Sequence, residues 1–111
     1  MTVKDLIDSG EFKIINDEGD TAAEITDVFC CDLLSVAMAH APGGSAWVTV
    51  MANMNTLAVA SLTGVSCVIL AEKAEMDEMA LSKARQQEII VLATDKPIFK
   101  AALTVYGKLA K

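Results

Sequence analysis

The residues best suited to metal or thiol chemistry are few and dispersed. The chain holds three cysteines and one histidine, namely Cys30, Cys31, Cys67 and His40. Cys30 and Cys31 are adjacent, so in a strand their side chains point to opposite faces, unlike the spaced cysteines of a zinc knuckle. Cys67 is explained more simply by core packing, and His40 by a helix C-terminus. We therefore expect no cofactor or metal, with Cys30, Cys31 and Asp32 as weak candidates for a metal or redox centre.

The sequence motifs of common catalytic sites are not found. No phosphate-binding loop GxxxxGK[ST], no dinucleotide fingerprint GxGxxG and no nucleophile elbow GxSxG occurs in the chain. The glycine pair Gly43-Gly44 precedes a predicted strand, whereas a phosphate loop follows one. Carboxylates cluster at 17–20 and 75–78, where a turn and a helix start account for them. The chain is therefore expected not to be an enzyme.

Size and composition favour one domain that carries excess apolar surface. With 111 residues, the chain is sized for a single domain spanning 1–111. Hydrophobic residues make up 53% of the sequence, and the mean hydropathy is +0.42, which is high for so small a soluble protein. A homodimer or a docking surface for a partner protein would cover this excess.

The net charge and the cysteine content indicate which classes of partner and which cellular location to expect. The formal net charge is −6, and the basic residues form only one thin cluster at Lys96, Lys100, Lys108 and Lys111. Nucleic-acid binding requires a basic stripe, so we expect no nucleic-acid partner. The odd number of cysteines and the lack of a signal-peptide pattern predict free thiols and a cytoplasmic location.

A long uncharged stretch raises the question of a membrane span. Residues 33–71 contain no Asp, Glu, Lys or Arg. Pro42-Gly43-Gly44 and several polar residues interrupt this stretch, whereas a spanning helix needs about 20 predominantly apolar residues. We therefore interpret it as a buried βαβ unit and expect no membrane association.

The first third of the chain predicts a short helix and two strands. Thr2 and Asp5 have the spacing of a capping box, and Leu6 and Ile7 lie on the apolar face of that helix. Segments 11–15 and 24–30 are predicted to be strands that pair with each other as an antiparallel flank. Asp32 is the expected N-cap of the helix that follows.

The remaining chain predicts repeated strand-then-helix units. Short Val/Ile-rich runs at 46–50, 67–70 and 89–93 have centres 21 and 22 residues apart, which leaves room for one helix between them. Strands without alternation are usually covered on both faces. The sequence therefore predicts a three-layer α/β/α fold with a mostly parallel sheet of about four to five strands and an antiparallel N-terminal flank. The helix stripes are expected at Leu57, Ala60 and Leu62, then Met76, Met79, Ala80 and Ala84, then Ile98, Ala101, Ala102, Val105 and Leu109.

The carboxyl ends of parallel strands form the usual ligand crevice of an open α/β sheet. Polar residues follow each predicted strand, although each of them alone could equally cap a helix. The candidate ligand-binding residues are Asp32, Ser35, Asn53, Asn55, Thr56, Glu72, Lys73, Thr94 and Asp95.

Four segments carry a family resemblance. In order they are DLLS at 32–35, AWVTV at 46–50, NTLAVASL at 55–62 and IIVLATD at 89–95. They resemble the DRTGG-domain family, in particular its small stand-alone members found beside iron-only hydrogenase genes. The family also resembles the N-terminal domain of HPr kinase/phosphorylase. The resemblance implies a layered α/β/α fold, a regulatory role, an adenine nucleotide as a candidate ligand, and a redox or hydrogenase-related partner protein.

The two signatures of that family are replaced here. The Asp-Arg pair falls on Asn53 and Met54, and Thr-Gly-Gly falls on Ala71, Glu72 and Lys73. The replacement removes the arginine that would grip a phosphate in bidentate fashion. The main hypothesis is a non-catalytic regulatory or accessory module that binds a small ligand or a partner protein. The alternative is a purely structural docking domain without a ligand, and a cysteine-dependent metal or redox protein is the third.

Overall fold

The computed structural model describes residues 1–109, which form a five-stranded sheet between two helical layers. In chain order the elements are α1 (Val3–Asp8), β1 (Lys13–Asn16), β2 (Asp27–Cys30), α2 (Leu34–His40), β3 (Ser45–Thr49), α3 (Met54–Thr63), β4 (Cys67–Leu70), α4 (Glu78–Gln87), β5 (Val91–Ala93) and α5 (Ile98–Leu109). The strand order across the sheet is β1-β5-β4-β3-β2.

The sheet is parallel except at one edge. β2, β3, β4 and β5 are parallel neighbours, and β1 pairs with β5 in antiparallel orientation. The prediction of a three-layer α/β/α fold with a mostly parallel sheet is confirmed, and of the expected antiparallel N-terminal flank only β1 is antiparallel, because β2 runs parallel to β3. The strand centres Val48, Ile69 and Val91 lie in three neighbouring strands, as the spacing of the βα units predicted.

The expected pairing of the first two strands with each other is wrong, because β1 and β2 lie at opposite edges of the sheet. The Asn16 side chain, buried at the end of β1, donates to the Ile89 carbonyl at 2.7 Å. Gly19 packs so closely on the same segment that an added Cβ would lie 2.5 Å from the Glu88 carbonyl oxygen. These contacts fix β1 beside β5.

The N-terminal helix forms as its capping signal predicts. The Thr2 hydroxyl accepts from the Asp5 N–H, and the Asp5 carboxylate accepts from the Thr2 N–H. The backbone N–H groups of Val3 and Ile25 donate to the Ala23 and Met1 carbonyls, which holds α1 against the segment that leads into β2.

Two apolar clusters fill the spaces on the two sides of the sheet. On one side Val48, Ile69 and Leu92 pack with Leu6 of α1 and Val105 of α5. On the other side, the fully buried Trp47 packs with residues of α2, α3 and α4. All residues of β3 and β4 are buried, which explains why these strands lack polar alternation.

The predicted helix stripes are correct except at three positions, one of which is Met76, because α4 begins only at Glu78. Ala80, Ala84, Ala101 and Val105 are buried as expected. Leu62 and Met79 are instead 73% and 68% exposed, because each points away from the buried side of its helix. Within residues 1–109, no helix combines the length and the apolar character that a bilayer crossing requires.

Candidate functional site

The carboxyl ends of the four parallel strands meet at one edge of the sheet and are followed by four loops. This edge has two parts. We call the loops after β2 and β3, residues 31–33 and 50–53, the closed end. We call the depression beside β1, β5 and the loop 71–77 the cleft. Of the candidate residues, two lie in the closed end, Asp32 and Asn53, and three line the cleft, Lys73, Thr94 and Asp95.

Asp32 is a structural residue of the closed end. Its Oδ1 accepts from the Thr49 hydroxyl at 2.7 Å and from the Val50 N–H at 2.9 Å. Thr49 is fully buried, so Asp32 satisfies a hydroxyl that water does not reach. The expected N-cap role of Asp32 is wrong: Leu33 occupies that position of α2 and provides no side-chain hydrogen bond.

Further hydrogen bonds fasten the loop after β2 to β3. The Trp47 indole N–H donates to the Cys31 carbonyl at 3.0 Å, and the Cys31 N–H donates to the Val48 carbonyl at 3.3 Å. The Cys31 thiol lies 3.3 Å from the Leu33 carbonyl and donates to it. The polar groups here are therefore used within the protein.

The three thiols differ in their exposure. Cys30 is exposed, Cys31 is half-buried, and Cys67 is buried at the start of β4. Partial burial, and secondarily the Asp32 charge, raise the pKa of Cys30; burial raises the pKa of Cys67 to about 12. Among residues 1–109, no cluster of three or more His, Cys, Asp or Glu side chains could hold a metal ion. A raised thiol pKa opposes thiolate chemistry at neutral pH.

The candidates near the starts of α2 and α3 also lie outside the cleft. Asn53 is the N-cap of α3, and its Oδ1 accepts from the N–H groups of Asn55 and Thr56. The Thr56 side chain is buried, and its hydroxyl has no partner in the described part of the chain. Asn55 and Ser35 are exposed.

The cleft has a volume of about 450 Å³ and brings three candidate residues together. Lys73, Thr94 and Asp95 line it, whereas Glu72 does not. The complete lining is Lys13, Ile14, Ile15, Leu70, Lys73, Ala74, Glu75, Met76, Leu81, Ala93, Thr94 and Asp95. A second depression, of about 520 Å³, lies between α3 and α4 and contains none of the candidates.

A strained turn forms one wall of the cleft. The Ala74 N–H donates to the Ala71 carbonyl at 3.1 Å, and Glu72 and Lys73 between them have φ angles of 57° and 63°. Positive φ at both central residues is the pattern of a type I′ turn, which strongly favours glycine. The left-handed region costs a residue with a side chain roughly 1–2 kcal/mol. These are the two positions at which the family resemblance places Gly-Gly.

Hydrogen bonds hold this turn against the end of β5. The Glu72 N–H donates to the Lys96 carbonyl at 2.9 Å, and the Lys73 N–H donates to the Thr94 carbonyl at 3.3 Å. The two walls of the cleft, the loop 71–77 and the β1–β5 edge, are thus connected through the backbone. This connection gives the strained turn a fixed position.

Both walls of the cleft carry charge of both signs. Lys13 on β1 and Asp95 after β5 belong to one wall, and Lys73 and Glu75 belong to the other. None of these four exposed side chains forms an ion pair within residues 1–109. Lys13 and Glu75 were not among the sequence candidates. Lys13 reaches the cleft only because β1 pairs with β5, which no local sequence signal indicated.

Comparisons with known proteins support the fold. No protein-family model and no curated protein sequence matches this chain. The fold is similar to the crystal structure of the CBS and DRTGG domains of the regulatory region of Clostridium perfringens pyrophosphatase, complexed with its activator diadenosine tetraphosphate. The TM-score is 0.73 and the identity 13%, and the match covers 92% of this chain and 44% of that one. The chain therefore has a DRTGG-like fold and spans less than half of that structure.

Proposed function

We propose that this protein is a non-catalytic regulatory or accessory module that binds a small ligand in the cleft. The observation that carries the proposal is the cleft itself, which joins Lys73, Thr94 and Asp95 at the strand ends. Ligand sites in proteins usually have volumes of roughly 300–1,000 Å³ and combine an apolar lining with a few polar groups. The cleft has both properties.

The fold neighbour supports a regulatory role and suggests the first ligands to test. That structure is a regulatory region that contains CBS and DRTGG domains and is bound to an activator, diadenosine tetraphosphate. Adenine nucleotides are accordingly one ligand class for this chain. Metabolites of other charge types complete the panel, because the arginine of the Asp-Arg signature is replaced here by Met54.

The test measures thermal stability with and without each compound of a mixed metabolite panel. A ligand that binds only the folded state at a hundred times its Kd stabilises it by about 2.7 kcal/mol. We expect at least one compound to raise the Tm of the wild type but not of an Ala74→Trp variant, whose indole fills the cleft. Ala58→Trp places the same side chain on the exposed surface of α3 and is the control. If no compound stabilises the wild type, or if Ala74→Trp responds equally, the proposal is wrong.

A second candidate function is protein docking, which an exposed stripe on α5 favours. Phe99, Leu103 and Tyr106 are 68%, 50% and 60% exposed and follow one another at helical spacing. We propose that this stripe is covered in a homodimer or by a partner protein from redox or hydrogenase metabolism. The proposed link to redox or hydrogenase metabolism comes from the family resemblance, and the proposed cytoplasmic location comes from the cysteine pattern.

The homodimer is tested by light scattering after size-exclusion chromatography. The wild type should have the mass of a dimer, Leu103→Glu should halve that mass, and Leu62→Glu should leave it unchanged. A monomeric wild type contradicts the homodimer.

A further inference from the structure

We propose that the cleft selects a zwitterion with an aliphatic body, of the size of an amino acid or a dipeptide, over nucleotides. This inference depends on the proposed function, because it concerns the ligand of the same cleft. Four observations support it: the balance of charges in the lining, the type of apolar side chain there, the net charge of the whole protein, and the position of Lys73 in the turn that forms one wall.

The charges in the cleft are balanced and available. Lys13 and Asp95 lie on one wall and Lys73 and Glu75 on the other, and none has an ion-pair partner among residues 1–109. A ligand that bears one carboxylate and one ammonium group can satisfy a lysine and an acidic side chain at the same time. Such charge-assisted hydrogen bonds are stronger than those between neutral groups.

The apolar lining is entirely aliphatic or thioether. No described lining residue is aromatic, and the apolar lining residues are Ile14, Ile15, Leu70, Ala74, Met76, Leu81 and Ala93. A nucleobase is usually held by stacking on an aromatic or arginine side chain, and the cleft offers neither. A branched aliphatic side chain packs on such a surface without needing a directional partner.

Electrostatics disfavour a polyphosphate at this position. Two lysines are offset by two acidic side chains, and the protein as a whole carries a formal charge of −6. A ligand with several negative charges therefore approaches a negative protein and meets a cleft without net positive charge. A zwitterion has no net charge and does not experience this repulsion.

The strained turn holds Lys73 in the wall of the cleft. Lys73 has a φ of 63° at a position where glycine would adopt the same backbone without strain. Glu72 shares this strain with a φ of 57° but does not line the cleft, so it is the position of the Lys73 side chain in the lining that singles it out. Lys73 is therefore the residue expected to bind the ligand carboxylate.

The experiment compares L-leucine and L-leucyl-L-leucine with analogues that lack one charge. Isocaproic acid lacks the amino group of leucine, isoamylamine lacks its carboxylate, and AMP and ATP represent nucleotides. Isothermal titration calorimetry should show binding of leucine or the dipeptide, with the one-charge analogues and the nucleotides weaker by roughly tenfold or more. Lys73→Gln and Asp95→Asn should each weaken binding by a similar factor, and Lys100→Gln, on the exposed part of α5, should not change it.

The outcomes separate this inference from the function on which it depends. If a nucleotide binds best and Ala74→Trp abolishes its binding, the cleft is a ligand site but the zwitterion inference is wrong. If the analogues with one charge bind as well as leucine, or if Lys73→Gln has no effect, the inference is also wrong. If no compound of either class binds the wild type, the zwitterion inference is wrong, whereas the proposed function fails only if the whole metabolite panel leaves the Tm of the wild type unchanged or if Ala74→Trp responds equally.

Discussion

The two parts of the sheet edge use similar residue types in opposite ways. At the closed end, the Asp32 carboxylate and the Thr49 hydroxyl hydrogen-bond to each other, and Trp47 fastens the adjoining loop. In the cleft, Asp95 and Lys73 have no ion-pair partner within residues 1–109. Polar residues at strand ends are therefore either hydrogen-bonded within the fold or left without an ion-pair partner in residues 1–109, and the identity of the residue does not decide which.

What decides the role is whether the protein itself supplies a hydrogen-bond partner. The buried Thr49 hydroxyl requires an acceptor, and Asp32 is the residue that reaches it. The exposed charges of the cleft are solvated by water and have no such internal requirement. Removing a polar side chain should therefore lower the free energy of unfolding at the closed end and leave it nearly unchanged in the cleft. Ligand binding should be weakened by substitutions in the cleft and not by those at the closed end.

The largest difference in the free energy of unfolding is expected between a variant that lacks the carboxylate of the closed end and one that lacks a carboxylate of the cleft. Asp32→Ala leaves the buried Thr49 hydroxyl and the Val50 N–H without their acceptor, which should lower the free energy of unfolding by about 1–3 kcal/mol. Asp95→Ala is the matched control and should change it by less than about 0.5 kcal/mol. Urea denaturation followed by circular dichroism measures both.

A third variant tests the reason given for this difference. Asp32→Asn keeps an acceptor oxygen at the same position, so it should restore a large part of the lost stability. Equal losses in Asp32→Ala and Asp95→Ala would show that the closed end is not fastened by this carboxylate, and the comparison between the two ends would fail.

Glycine substitutions in the turn that forms one wall of the cleft should raise the free energy of unfolding, in contrast to Asp32→Ala. Glu72→Gly and Lys73→Gly relieve the left-handed strain, and each should raise the free energy of unfolding by about 0.5–1 kcal/mol after the greater chain entropy of glycine is counted. Glu75→Gly, outside the left-handed region, should stabilise nothing. Chemical denaturation gives these values, and destabilisation by Lys73→Gly would contradict the strain.

The smallest effect concerns the thiol beside the closed end. Because partial burial and the Asp32 charge favour the neutral thiol, the pKa of Cys30 is raised, and its alkylation rate should reach half-maximum above pH 9.0. In a Cys31→Ser background, Asp32→Asn should lower that midpoint without returning it fully, since desolvation is the larger cause. Iodoacetamide kinetics resolved by mass spectrometry measure it, and a midpoint insensitive to Asp32→Asn would exclude the electrostatic contribution.

Local signals made much of the fold predictable from the sequence. The capping box at Thr2 and Asp5 depends on residues three apart, and the strand spacing depends on runs of adjacent apolar residues. The position of β1 was not predictable, because it is set by Asn16 and Gly19 contacts with residues 88 and 89, far along the chain. A hairpin with β2 was the simpler local interpretation.

The site was predictable only in part for the same reason. The sequence placed Lys73, Thr94 and Asp95 close together because the ends of parallel strands meet at one edge of a sheet, and all three line the cleft. Lys13 was missed because its place in the cleft follows from the unexpected β1–β5 pairing. Asp32 was predicted to be the N-cap of the following helix, and that role is wrong because its partner, Thr49, belongs to the next strand along the chain.

The pairing of β1 with β5 also determines when the cleft can exist during synthesis. Lys13 is translated early, but its neighbour Ala93 belongs to the last strand of the sheet to leave the ribosome. A nascent chain with only the first four strands has one wall of the cleft and an unpaired β1. Closing so long a loop is entropically demanding, so ligand capture would report that the entire sheet has been assembled.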